Sequence, residues 1–80
     1  MNYLFEADIW VTGKSGSFEV YELKEGKYLC KMIYWEADQD PGPGDVVLWK
    51  TKKKWKIDKD SYPQLKIALA NNINEYLYRA

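Results

Sequence analysis

Residues Asp45–Ile57 read DVVLWKTKKKWKI, and this segment carries the clearest structural pattern in the chain. Beyond its first residue, the odd-numbered positions are largely apolar and include Trp49 and Trp55, whereas the even-numbered positions from Lys50 to Lys56 are all lysine. Alternate side chains of a β-strand point to opposite faces of the sheet. The alternation therefore predicts extended structure that turns two indoles toward a core and four ammonium groups toward water.

Two conformations of this segment fit the pattern. It can form one long strand, or a hairpin that turns at Lys52–Lys54. A three-residue loop would place Thr51 opposite Trp55 and Trp49 opposite Ile57, which keeps the aromatic residues together. In both conformations the two tryptophans are predicted to share a face of the sheet.

Three earlier segments also have strand patterns. Apolar residues occupy the odd positions of Tyr3–Val11, Phe18–Leu23 alternates in the same way, and Tyr28–Ala37 is apolar on both faces. The glycines in the segments Gly13–Gly16 and Lys24–Gly26 predict the turns between these strands. A strand that is apolar on both faces is normally covered on both sides, and a single helix covers only one. We therefore expect the sheet to curl over itself or, preferably, a second copy or a partner to cover the other side.

A C-terminal helix follows the connector Gln39–Gly44 and the last strand pattern. Ser61 and Gln64 have capping-box spacing, and Pro63 is tolerated in a first turn. The apolar residues that recur at helical spacing are Leu65, Ala68, Leu69, Ile73, Tyr76, Leu77 and Ala80. Ile67, Ala70 and Tyr78 fall off that stripe and predict a second, weaker contact.

The predicted architecture is a single small α+β domain spanning residues 1–80. It consists of an antiparallel sheet of four to five strands, followed by one C-terminal helix packed on one face, in the order ββββα. A chain of 80 residues has too little apolar area for two separate cores.

The residue types argue against an enzyme and against a cofactor. The chain has no histidine and one cysteine, Cys30, so imidazole ligands, a zinc site and an internal disulfide are ruled out. Two carboxylate pairs, Glu6 with Asp8 and Glu36 with Asp38, are expected at solvated strand positions. They lack an apolar pocket that would raise the pKa of one carboxyl group and so let the pair act as general acid and general base. We therefore expect no catalytic, metal-binding or cofactor-binding residues, and Cys30 is expected to be a buried apolar residue.

Charge is unevenly distributed along a chain that is neutral overall. Residues 1–48 carry four lysines against nine acids, and residues 49–80 carry eight bases against three acids. The lysine-rich strand predicts a non-enzymatic module that binds single-stranded nucleic acid or another polyanion, with nearby aromatic rings as stacking platforms. The candidate binding residues are Lys50, Lys52, Lys53, Lys54 and Lys56. A solvated face whose lysines discourage edge-to-edge aggregation is the alternative structural interpretation of the same pattern.

A protein-interaction, regulatory or inhibitor module is the alternative function. Thirteen aromatic residues in a chain of this size favour an interface, for which the candidates are Tyr34, Trp35, Ile67 and Tyr78. A homodimer and an acidic protein are accordingly considered as partners. No segment approaches the roughly 18 apolar residues of a membrane span, and the N-terminal residues are unlike a signal peptide. A cytoplasmic location without a membrane partner is therefore expected.

The order of elements is similar to that of one known fold. Four strands and one C-terminal helix, a Pro-Gly loop before the last strand, and the run Tyr62-Pro63-Gln64-Leu65-Lys66 resemble the single-stranded-DNA-binding fold of dimeric transcriptional coactivators. The resemblance covers about the second half of the chain and implies a dimer that binds single-stranded DNA. It implies no individual site residues.

Overall fold

The computed structural model describes residues 1–59, 62 and 64–79. It confirms the predicted α+β class, with a five-stranded antiparallel sheet followed by one C-terminal helix. The strands lie side by side in chain order, so each pairs with its neighbour in sequence. Their bounds are β1 Asn2–Val11, β2 Lys14–Lys24, β3 Lys27–Glu36, β4 Val46–Lys50 and β5 Trp55–Ile57, and the helix is α1 Leu65–Arg79.

The core lies between one face of the sheet and α1. Alternate residues of the first four strands point into it, since strand side chains repeat every two residues. The fully enclosed side chains include Phe18, Val20, Cys30, Val46, Leu48, Leu65, Leu69 and Ile73. Of the predicted inward positions of the first two strands, Ala7, Ile9, Phe18 and Val20 are buried as expected. Tyr3 was expected on the same side of β1, but a register shift between Tyr3 and Phe5 turns it to the opposite face of the sheet.

The first hairpin is tighter than predicted. β1 and β2 are joined by Thr12 and Gly13 alone, and both residues have positive φ, 45° and 77°. Two consecutive left-handed residues form the turn that matches the twist of a two-residue hairpin. Gly16, which we expected in the turn, instead lies within β2. The prediction placed the turn too late because threonine rarely adopts positive φ.

The segment 46–57 is a hairpin, and its loop is one residue longer than the predicted loop. The pairs Leu48 with Ile57 and Lys50 with Trp55 leave residues 51–54 as the turn. It is closed by the Thr51 N–H, which donates to the Lys54 carbonyl at 2.8 Å. Of the two conformations that the sequence left open, the structure therefore shows the hairpin and not the single strand.

The hairpin also separates the two tryptophans that we expected on one face. Val46 and Leu48 point into the core, so Trp49 points away from it. Because the loop has four residues, the alternation of side chains between the two faces is reversed beyond it. Trp55 therefore lies on the core side, directly opposite Lys50. Apolar residues occupy both faces of β4, so periodicity alone did not identify its buried face.

The helix packs through a stripe shifted slightly from the predicted one. Leu65, Leu69 and Ile73 are buried as expected, but Ala70 is buried too and Leu77 is 45% exposed. The stack of Phe5 on Tyr76, with centroids 4.7 Å apart, joins β1 to the helix. Of the predicted cap, Ser61 and Pro63 lie outside the described residues. Among the described residues, no helix has both the length and the apolar character needed to cross a membrane.

The connector between β3 and β4 is held against the start of the helix. The Tyr62 hydroxyl donates to the Asp40 carboxylate, which also accepts the Gly42 N–H at 3.0 Å. These two donors hold the pKa of Asp40 below its usual range. Trp35 packs edge-on against Tyr62, with centroids 5.3 Å apart, and so anchors the connector.

The other face of the sheet has no helix on it, and we call it the open face. Strand pairing identifies its members by register. They are Tyr3, Glu6, Asp8, Trp10, Ser15, Ser17, Glu19, Tyr21, Lys24, Lys27, Leu29, Lys31, Tyr34, Glu36, Val47, Trp49 and Lys56. This is the side of β3 that the sequence predicted would lack cover.

Candidate functional site

The five candidate lysines cluster around the β4–β5 hairpin, although they do not form a row on one strand. Lys50 ends β4, Lys52–Lys54 form the loop and Lys56 lies within β5. All five are exposed. By register, Lys50 lies on the helix side of the sheet and Lys56 on the open face. The cationic surface therefore wraps around a hairpin tip.

Two further lysines join this surface from the β2–β3 turn. β2 and β4 run toward the same end of the sheet, and the Lys50 N–H donates to the Gly26 carbonyl at 2.9 Å. This contact brings Lys24 and Lys27 beside the hairpin, where they line a shallow groove with Trp49 and Lys50. We call the combined surface the basic end, which comprises Lys24, Lys27, Lys50, Lys52, Lys53, Lys54 and Lys56.

Sequence reasoning missed Lys24 and Lys27 because their contribution depends on strand order. Their spacing across a turn was visible, but nothing local indicates that this turn lies beside the later hairpin. A meander, in which every second turn lies at the same end of the sheet, places the two turns together. The predicted antiparallel sheet would have identified Lys24 and Lys27 if its strand order had also been predicted.

A tryptophan lies beside the lysines on each side of the hairpin. On the helix side, the Lys50 Nζ is 5.9 Å from the centroid of the Trp55 ring, within the range of a cation–π contact. On the open face, Trp49 lies directly between Lys27 and Lys56 in the sheet register. Both indoles are half-buried, so each presents part of its ring to solvent.

The charge of the basic end is not neutralised by ion pairs. Within the part of the chain that the structure describes, the one salt bridge joins Arg79 to Glu75, and it involves no lysine of this surface. Glu25 is the only acid within the β2–β3 turn itself. Like charges held close together repel, and an anionic partner relieves that repulsion most directly.

The four candidate interface residues do not form one surface. Tyr34 is 49% exposed on the open face, whereas Ile67 and Tyr78 are 57% and 83% exposed on the outer side of the helix. Trp35 points inward and packs edge-on against Phe18. Trp35 points inward because β3 has a bulge at Ile33: Ser17 pairs with Tyr34 and Phe18 with Met32, so the alternation of faces reverses along the end of β3.

The other reactive groups among the described residues are the Cys30 thiol and the acidic side chains. Cys30 is enclosed, and burial together with the nearby Asp58 charge raises the pKa of its thiol to about 12. A thiol with such a pKa is a poor nucleophile near neutral pH. Among the described residues, no group of three or more cysteine or acidic side chains could hold a metal ion.

The chain matches no family model, no curated protein and no solved structure. The resemblance to coactivators that bind single-stranded DNA therefore rests on element order and loop composition alone. We therefore infer a function from the geometry of the basic end.

Proposed function

We propose that this protein is a non-enzymatic module that binds single-stranded nucleic acid through its basic end. The observation that carries the proposal is the convergence of two lysine-bearing turns, joined by the hydrogen bond from Lys50 to Gly26. Among the described residues, no salt bridge involves these seven lysines, and Glu25 is the one acid in the groove that they share with Trp49. Single-stranded chains are bound elsewhere by such cationic surfaces combined with aromatic platforms.

Each chemical part of the ligand has a counterpart at the hairpin. Phosphates would contact the loop lysines Lys52–Lys54, which are exposed and free of a rigid secondary-structure element. Unpaired bases would stack on the exposed parts of Trp49 or Trp55, a contact worth about 1–3 kcal/mol per base. Because stacking accepts every base, the proposal is of binding with little sequence preference.

The first experiment measures oligonucleotide affinity as a function of salt concentration. Each neutralised phosphate of a single strand contributes about 0.7 to the slope of log K against log salt, so four contacts give a slope of about −3. The double variant Lys52→Glu/Lys54→Glu is expected to lose at least about tenfold in affinity while its unfolding transition is unchanged. Absence of binding by the wild-type protein at low salt would refute the proposal.

A matched control makes the same change in net charge away from the basic end. Lys14→Glu/Arg79→Glu alters the β1–β2 hairpin, at the opposite end of the sheet, and the helix terminus. It should lose much less affinity than the loop variant. Equal losses would show that net charge, and not this surface, controls binding.

Polyglutamate tests the alternative of an acidic protein partner. If the indoles stack on bases, the oligonucleotide should quench tryptophan fluorescence and polyglutamate should not. Binding restricted to polyglutamate would favour a protein-interaction module. The proposal includes a cytoplasmic location, where a lone reduced thiol such as Cys30 is stable.

A further inference from the structure

The open face presents a continuous apolar row to solvent. Tyr3, Tyr21, Leu29 and Val47 are directly opposite one another across four strands. Tyr3 is 50% exposed, and its ring meets Tyr21 edge-on at 5.5 Å between centroids. Exposed contiguous apolar surface on a small protein marks an interaction site more often than an idle surface.

Acidic side chains lie on one side of this row. Glu6 and Glu19 are directly opposite each other on β1 and β2, and Asp8 is the next outward residue along β1. Like charges facing each other across a strand pair destabilise a sheet. Lys31 is the cross-strand neighbour of Glu19 but not of Glu6. The pair therefore retains an excess of negative charge.

Lysines lie on the other side of the row. Lys27 and Lys56 flank Trp49 in consecutive register positions on β3, β4 and β5. The open face thus carries an acidic patch, an apolar row and a basic patch in that order along the strand direction. The two patches lie at diagonally opposite corners, because the acids are on β1 and β2 and the lysines on β3 and β5.

We infer that a second copy of this chain covers the open face in a two-fold symmetric dimer. A two-fold axis that lies in the interface, diagonal to the strands and between Tyr21 and Leu29, exchanges the two corners. It brings the Glu6 and Glu19 pair of each copy over Trp49 and its two flanking lysines on the other. The apolar rows then cross at the centre, and the strands of the two sheets cross near 90°, one of the two preferred sheet packings.

The size of the face suits this occupant. Five strands about 4.8 Å apart, the longer ones about 30 Å in length, give an area on the order of 500–700 Å². Standard interfaces bury about 600–1,000 Å² on each partner, so the open face would form an interface at the small end of that range. In a two-fold symmetric dimer every contact occurs twice. The contact between the acidic pair of one copy and the lysines of the other is therefore made at two places in the interface.

Charge reversal distinguishes the proposed dimer from nonspecific association, because only a specific contact is lost in each variant and restored when the two variants are mixed. The wild-type chain should show twice the 9.5 kDa mass of one chain in solution, measured over a range of concentrations. Glu6→Lys/Glu19→Lys should weaken self-association by more than about a hundredfold, because like charges then face each other at both contacts. Lys27→Glu/Lys56→Glu should do the same.

Mixing the two variants should restore association. In the mixed dimer each reversed patch faces a reversed patch of opposite sign, and the unaltered patches still face each other. Circular dichroism of each variant alone establishes that it is folded. A wild-type chain that stays monomeric, variants that self-associate undiminished, or folded variants that do not combine would each overturn the inference.

A helix variant supplies the matched control. Ile67→Glu places a charge on the exposed outer side of α1, the other surface that sequence predicted as an interface. It should leave the dimer unchanged. Dissociation by Ile67→Glu would assign the interface to the helix and overturn the proposed use of the open face.

Discussion

Trp35 is held between two glycines that have no room for a side chain. A Cβ at Gly16 would lie 2.6 Å from the Trp35 Cε3, and one at Gly42 would lie 2.6 Å from its Cγ. Gly42 also has φ near 85°. The ring thus connects β2 to the β3–β4 connector, and both glycines are required by close approach.

Gly42→Ala is expected to destabilise the protein by two separable effects. The left-handed backbone costs an alanine about 1–2 kcal/mol. Displacing Trp35 and Met32, whose Sδ would lie 2.9 Å from the new methyl group, adds about 1–3 kcal/mol of overpacking. Urea denaturation followed by tryptophan fluorescence measures the total.

Gly13→Ala separates the two effects. Gly13 has a similar φ, 77°, but a Cβ there meets nothing within 4 Å. It should therefore show only the backbone cost. If Gly42→Ala were no more destabilising than Gly13→Ala, the close packing around Trp35 would not contribute to stability.

At the scale of the element, the β4–β5 hairpin shows where local pattern stops determining structure. The alternation of Lys50–Lys56 correctly indicated strands, and the four-residue loop then reversed its phase. Leu48 and Ile57 face each other across the hairpin on the core side. Leu48 is fully buried and Ile57 packs against the same core, so core packing fixes the register. That core includes helix residues that are distant in sequence from the loop.

The helix and the first two strands were more predictable because each has one clearly apolar side. Ile9 and Phe18 could face only inward, since their neighbours Asp8 and Glu19 are charged. β4 has Val46 and Leu48 on one face and Val47 and Trp49 on the other, so tertiary contacts determine which face is buried. The candidate lysines could be identified from sequence, but their arrangement around a hairpin tip could not.

The observed register predicts different roles for the two tryptophans. Trp55 packs beside Tyr28 on the core side, with centroids 5.8 Å apart. Trp55→Ala should cost roughly 2–3 kcal/mol, below the 3–5 kcal/mol of a fully buried tryptophan because the ring is half-buried. Trp49→Ala should cost about 1 kcal/mol, since it removes cross-strand contacts on the open face.

Denaturation at a concentration low enough to keep the protein monomeric provides the comparison, because self-association adds apparent stability. The three-residue loop predicted from sequence would place both rings on one face and give similar losses. Equal destabilisation by the two substitutions would therefore contradict the observed register.

At the scale of the whole molecule, neutrality conceals a separation of charge. Twelve bases balance twelve acids, yet the basic end collects seven lysines and the far half of the open face collects acids. Such a distribution supports two kinds of contact, one with a polyanion and one with another copy. Lys27 and Lys56 belong to both the basic end and the proposed dimer interface, and Trp49 lies between them, so the two activities must be tested for independence.

We expect one variant to lose oligonucleotide binding and keep the dimer, and another to lose the dimer and keep oligonucleotide binding. Lys52→Glu/Lys54→Glu alters only the hairpin loop, which lies beyond the paired strands, so it should lose oligonucleotide affinity and keep the mass of a dimer. Glu6→Lys/Glu19→Lys should become monomeric and bind the oligonucleotide at least as tightly, because it adds positive charge and uncovers Lys27, Trp49 and Lys56. Light scattering and fluorescence titration on the same samples measure both properties. If each variant lost both together, polyanion binding would require the dimer, and the basic end of one chain would not be a complete site.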